Sequence, residues 1–173
     1  MSVRPRGPAA DPALLPSSHP SNPYGLSPAM FQANSLSPKV TATHVFFLGA
    51  ESSDPHCCLT QWYPSPFHAP RLHSTIANEE SSDYVLFPTA EHYMMYQKAI
   101  VMSDHESAAQ ILKHPHPSEA KQLGREVRNF DGEKWKKHAE RAVEEANWAK
   151  FTQCEDLGTL LLNTGDKMLV EAR

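Results

Sequence analysis

The stretch Tyr84-Val85-Leu86-Phe87-Pro88-Thr89-Ala90-Glu91-His92-Tyr93-Met94-Met95-Tyr96-Gln97-Lys98-Ala99 decides the fold. Its first four residues form a β-prone run and read as a short strand. Pro88 stops a helix from starting earlier and Thr89 supplies a hydroxyl N-cap, so a helix is predicted to follow the strand directly. Within it Glu91 and Lys98 stand seven residues apart. That is nearly two turns, or roughly 10 Å of rise, so acid and amine share one face. Helical side chains lean toward the N-terminus, so the Lys98 stem is expected to run back toward Glu91 and leave room for a small polar substrate. The first-turn position favours the Glu91 charge through the helix dipole, whereas burial against Tyr93 and Met94 raises its pKa; the two influences oppose each other.

Outward from this segment, everything downstream favours helix. Asp104 is expected to cap a helix to about Lys113, Ser118 one to about Val127 and Asp131 a long one to about Thr152. A further helix is expected from about Asp156 to Asn163, ending at Gly165, before Lys167 to Glu171 closes the chain. In the long helix Trp135, Ala139, Ala142, Val143, Ala146 and Ala149 recur at three- and four-residue spacing, a buried stripe on a helix otherwise covered by Lys and Glu. Upstream, His44-Val45-Phe46-Phe47-Leu48 closed by Gly49 reads as a first strand. Leu59 to Phe67 carries Trp62, Tyr63 and Phe67 around Pro64 and Pro66, which predicts an extended aromatic loop fit to wall a pocket. Residues 71 to 83 read as a polar, acidic excursion. Residues 1 to 42 are rich in Pro and Ser with scattered apolar residues and are expected to be a disordered tail ahead of a domain at 43–173. The predicted class is α+β, a mostly helical domain on a small sheet.

A chain of 173 residues with 40% hydrophobic content fits one compact domain. A net charge of -4 gives no electrostatic footprint for bulk nucleic-acid binding, although a local basic patch can still hold a phosphate. Cys57, Cys58 and Cys154 make neither a disulfide framework nor a paired zinc site, which points to a reducing compartment. No apolar run approaches the ~20 residues of a membrane span and no secretory core is evident, so a cytoplasmic protein is expected. His92 has no second histidine at i+4, and His114-Pro115-His116-Pro117 reads as a loop; neither a metal nor a cofactor is expected.

The chemistry then rests on few groups. A lysine desolvated beside Met95 and Tyr96 has a lowered pKa, and its neutral amine attacks an aldehyde or sugar carbon; the alternative is an ordinary helix lysine reaching solvent. Glu91 suits general acid or base work at a glycosidic carbon, or else simply complements the helix dipole. Gly124-Arg125 near a helix end can bring a guanidinium onto a phosphate, and an exposed surface arginine fits the same sequence.

The pieces TAEHYMMYQKA (89–99), LGR (123–125), FDGEKW (130–135), KF (150–151), LLLNTGDKMLVEA (160–172) and WYPSPF (62–67) together resemble the NADAR, or YbiA-like, family, in order and spacing, over residues 44 to 172. The resemblance implies an α+β, mostly helical fold and N-glycosidase activity on phosphoribosylamino-pyrimidines of early riboflavin biosynthesis, releasing ribose 5-phosphate. It also implies, as the alternative, removal of ADP-ribose from guanine, or a nucleotide-binding module without turnover. Glu91 and Lys98 match the acid and lysine of the family block and are the expected catalytic pair. Substrate contacts are expected from Trp62, Tyr93, Gly124, Arg125 and Trp135. Two departures stand out. Leu59-Thr60-Gln61 replaces a Leu-Ser-Asn type run, lengthening one amide arm. The family pattern also continues past Arg173 with an Asp-containing segment, a Trp-Gly-x-Gly motif and a closing helix, so the chain is expected to lack one wall of the site, with lowered stability and activity.

Overall fold

The computed structural model describes residues 40–50, 53–70 and 84–172. In chain order these form β1 (His44–Phe47), a short 3-10 helix (Pro55–Leu59), β2 (Phe67–Pro70), β3 (Tyr84–Phe87), α1 (Ala90–Val101), α2 (His105–Ile111), α3 (Pro117–Arg125), α4 (Gly132–Gln153), α5 (Glu155–Leu162) and β4 (Met168–Glu171). The class is α+β, as expected, but the expected single sheet is two separate pairs. β1 runs parallel to β4, with His44 opposite Met168 and Phe47 opposite Glu171. β2 runs antiparallel to β3, with Phe67 opposite Phe87. The sequence gives little warning of β2, because Phe67-His68-Ala69-Pro70 is bounded by Pro66 and ends on Pro70, and proline cannot donate to a ladder. Most of the predicted tail and the excursion at 71–83 lie outside the described residues. Ahead of β1, Val40 bridges Val45 and the Thr41 N–H donates to the His44 carbonyl.

Helix α1 is the centre of the fold, packed by α2, α3 and α4. Thr89 caps it as predicted, its hydroxyl accepting from the His92 N–H. Eight of its residues are buried, among them Glu91, His92 and Gln97. Phe87, Tyr93 and Tyr96 meet edge to face, with ring centroids 5.0 and 5.3 Å from Phe87. Such pairs contribute about 0.5–1.5 kcal/mol each beyond the area they bury. They fix the angle at which the strand enters the helix.

Asp104 caps α2 as predicted, but the helix stops at Ile111, short of Lys113. The predicted Ser118 cap is corrected: α3 begins at Pro117, with His116 at the cap position and no side-chain cap bond. Proline at the first helical position supplies a preset φ and lacks an N–H that would have gone unpaired. Asp131 caps α4 by accepting from the Glu133 and Lys134 N–H groups. The apolar stripe of α4 is as predicted at Ala142 and Ala146, but the next position on that face is Lys150, which is fully buried. The helix is therefore not lined by alanine to its end. A second, smaller core of Val45, Phe47, Cys58, Leu59 and Leu157 joins β1, the 3-10 helix and α5. No described helix is long and apolar enough to cross a membrane.

Candidate active site

The face of α1 toward α3 carries Glu91, Met95 and Lys98, at i, i+4 and i+7, the spacing of one helical stripe. Met95 seats the two helices together. A Cβ placed on Gly124 would lie 2.0 Å from the Met95 Sδ and 2.9 Å from its Cγ, so only glycine permits this approach. The Gly124 carbonyl accepts a hydrogen bond from the Lys98 Nζ. The same amine sits 4.2 Å from the centroid of the Phe130 ring. The Lys98 head is thus anchored on α3 and on the segment before α4. Burial and the neighbouring Arg125 charge lower its pKa.

Glu91 is 3% exposed. Its backbone N–H donates to the Gln61 carbonyl at 3.0 Å, and hydrogen bonding from the Trp62 side chain favours its ionised carboxyl. One carboxyl oxygen, Oε1, is buried with no hydrogen-bond partner. Leaving a buried acceptor unpaired costs about 1–3 kcal/mol. Burial raises the Glu91 pKa; the charges of Lys121 and Arg125 and the Trp62 bond oppose that rise, and Glu171 on β4 adds to it. The shift is upward, the direction in which burial drives it. Lys121 also lies over the Trp62 ring, 5.2 Å from its centroid.

The structure therefore gathers Glu91, Trp62, Lys121 and Arg125, with Arg125 bearing on Lys98 as well. Arg125 is exposed at the end of α3, where its guanidinium is free to meet solvent-borne anions. Tyr93 and Trp135 are placed differently. Tyr93 stands two residues from Glu91, on another side of the helix; its ring is in the larger core and its hydroxyl donates to Glu145 at 2.8 Å. Trp135 is half-buried and packs its body against that core. Gly124 contributes its carbonyl and its lack of a side chain.

The sequence reading misses Lys121 and Lys150, and takes Gln61 only for its side chain. Lys121 is one helical turn before Arg125, so i, i+4 spacing from the noted arginine points to it. Gln61 acts through its backbone carbonyl, for which side-chain identity carries no signal. Lys150 falls four residues beyond Ala146 on the stripe already recognised, and that periodicity alone marks it as buried. Among the described residues no group of His, Cys, Asp and Glu side chains converges as a metal ion requires.

A helix-rich α+β domain holding a buried carboxyl, with Lys121 and Arg125 bearing on it, fits a hydrolase. The chain belongs to the NADAR family: the NADAR domain matches residues 46–173. It is 38% identical over 133 residues to an N-glycosidase of Acanthamoeba polyphaga mimivirus, covering 76% of this chain and 74% of that protein. It is 33% identical to Protein irg-1 of Caenorhabditis elegans, covering 75% of this chain and 61% of that one. The NMR structure of the E. coli protein YbiA shares the fold at a TM-score of 0.55 and 24% identity, over 76% of this chain and 68% of YbiA.

Proposed function

We propose that the chain is an N-glycosidase that hydrolyses the C–N bond of phosphoribosylamino-pyrimidine intermediates of riboflavin biosynthesis and releases ribose 5-phosphate. The observation that carries this reading is the Glu91 carboxyl, 3% exposed, with Oε1 unpartnered and its pKa raised by burial. A carboxyl of raised pKa is better suited to donate a proton than an ordinary one, and as a carboxylate it stabilises positive charge developing at C1 of a ribose. The viral relative's name, N-glycosidase, supports the reaction class. Lys121 and Arg125 give the site its positive edge, suited to a phosphate, and the Trp62 face suits a flat heterocycle.

Two routes use these residues. In one, Lys98 attacks C1 of the ring-opened sugar and displaces the pyrimidine amine, leaving an imine that water hydrolyses while Glu91 carries the proton. A neutral amine that donates to the Gly124 carbonyl keeps its lone pair available for that attack. In the other, Glu91 activates water directly and Lys98 holds the leaving group or phosphate. Borohydride separates them: an adduct trapped on Lys98 supports the imine route, and full turnover with no adduct eliminates it.

The test of the function is ribose 5-phosphate release, measured by mass spectrometry, from 5-amino-6-(5-phosphoribosylamino)uracil, beside Glu91→Gln. Release in the parent and a loss of ~10²-fold or more in the variant is expected. No release from this substrate, with hydrolysis of ADP-ribosylated guanine instead, would move the substrate assignment. Thermal stabilisation by ADP-ribose with neither reaction would mark a binding module.

A further inference from the structure

Lys150 is the most deeply buried charge-bearing group among the described residues, at 0% exposure, and it lies outside the cluster around Glu91. Burial pulls its pKa down to about 8, with Cys58 and Cys57 the titratable groups that face it. Its Nζ donates to the Thr60 carbonyl at 2.9 Å, across 90 positions of sequence. The Tyr63 and Phe151 ring centroids lie 5.7 and 5.1 Å from it. A lysine is an expensive way to fill a core, since an apolar side chain of similar volume is often as stable or more so. What the amine adds is a fixed hold on one carbonyl.

That carbonyl belongs to the residue before Gln61 and Trp62. The Gln61 carbonyl accepts from the Glu91 N–H at 3.0 Å, and hydrogen bonding from the Trp62 side chain favours the ionised Glu91 carboxyl. The segment is further stitched where the Ser65 N–H donates to the Pro88 carbonyl at 3.2 Å. Along this stretch Pro64 and Pro66 offer no N–H, so side chains and caps must hold what a ladder cannot.

We propose that Lys150 is a positioning residue for the site: its buried amine holds the Thr60 carbonyl and thereby keeps Gln61 and Trp62 against Glu91. The inference rests on the reading of Glu91 as the reacting carboxyl. Lys150 touches no reacting atom; it acts through two residues of backbone and one indole. Its effect is therefore on where Glu91 titrates, together with the other groups that bear on that carboxyl, namely Lys121, Arg125 and Glu171.

The experiment is an NMR titration of the Glu91 carboxyl in protein labelled with 13C-glutamate, assigned by its disappearance in Glu91→Gln. Lys150→Met keeps the volume and removes the donor. Because the Trp62 bond favours the ionised carboxyl, its loss should raise the Glu91 midpoint by about half a pH unit or more. In a Trp62→Phe background the same substitution should add nothing. An unchanged midpoint in folded Lys150→Met overturns the proposal, and an equal shift in both backgrounds overturns it in favour of direct charge. If Lys150→Met does not fold, the parent chain still decides. The Thr60 and Tyr63 amides, bonded to the Cys57 and Thr60 carbonyls, should exchange with solvent deuterium as slowly as that of Ala146 in α4. Exchange about a hundredfold faster would show a segment that opens by itself, and the proposal falls. None of these readouts requires turnover, so a chain inactive on every glycoside leaves this result standing, and a failed titration leaves the glycosidase reading standing.

Discussion

Gly124→Ala is the substitution whose consequence is most directly fixed by distances. The new Cβ meets Met95 at its Sδ, Cγ and Cβ, at 2.0, 2.9 and 3.1 Å. The sulfur can swing away, but Cγ and Cβ are tied to the α1 backbone, so α1 and α3 must part by some tenths of an ångström. Overpacking of this kind costs about 1–3 kcal/mol. Alanine returns about 0.5–1 kcal/mol by restricting the unfolded chain in a helical position. The net is a loss of up to about 2.5 kcal/mol, a fall in Tm of up to roughly 10 °C for a domain of this size. Urea and thermal melts followed by circular dichroism read it. The control is a double-mutant cycle with Met95→Ala, which is itself destabilising by about 2–5 kcal/mol but removes the two worst contacts. In that background Gly124→Ala should be neutral or stabilising. Parting the helices also moves the carbonyl that holds Lys98, so activity should fall more than the melt alone explains. A Gly124→Ala protein that melts at or above the parent temperature, with the Met95 background making no difference, would refute the close approach.

His92 is fully buried, its Nε2 facing the His114 carbonyl at 2.9 Å and its Nδ1 the Thr89 hydroxyl at 2.8 Å. The carbonyl requires a proton on Nε2, so Nδ1 accepts from Thr89 and the ring is neutral; burial lowers its pKa. With the folded value below the unfolded one, the unfolded chain binds the extra proton, and this contribution to stability is lost as pH falls through about 6.5 and below. The urea midpoint should therefore drop between pH 7 and 5 more steeply in the parent than in His92→Gln, and parallel slopes would count against the assignment. Asp104, buried at the start of α2, accepts from Ser107 and from the Arg128 guanidinium at 2.6 Å, which holds its carboxyl well below the usual range. Asp104→Asn should lower stability at pH 7, with the deficit shrinking from the normal carboxylate range near pH 4 downward and gone only below the depressed folded value, and Asp104→Ala should cost at least the ~1 kcal/mol of a lost cap more.

Much of the fold follows from local signals that agree with one another. Thr89, Asp104 and Asp131 sit at helix starts because each side-chain oxygen satisfies amides that the first turn leaves open. Tyr84-Val85-Leu86-Phe87 is a strand as read, but its partner could not be seen, since pairing is decided by residues elsewhere and β2 is framed by prolines. In the site the helical spacing of Glu91 and Lys98 is legible and their surroundings are not. Lys98 turns to the Gly124 carbonyl because α3 comes within reach, a fact of helix packing that exists only once Met95 meets Gly124. Tyr93, adjacent to the acid in sequence, belongs to the core because two residues along a helix is a turn of roughly 200°. Gln61 meets Glu91 through its backbone carbonyl, which every residue has and no sequence pattern distinguishes, and helical periodicity marks Lys150 as buried without showing that its amine reaches the Thr60 carbonyl.

The pairing of β1 with β4 has a kinetic consequence. His44 can meet Met168 only after the entire helical body between them has been brought into a closed loop, and such long closures are entropically slow and come after local contacts. Helices α1 to α5 can form early from near neighbours, whereas this last sheet seals the domain. Glu171, opposite Phe47 in that sheet, is the carboxylate whose charge bears on Glu91. A chain that has collapsed but not yet docked its final strand thus holds its acid in a different field from the native one, and reactivity should mature in step with the slowest folding phase.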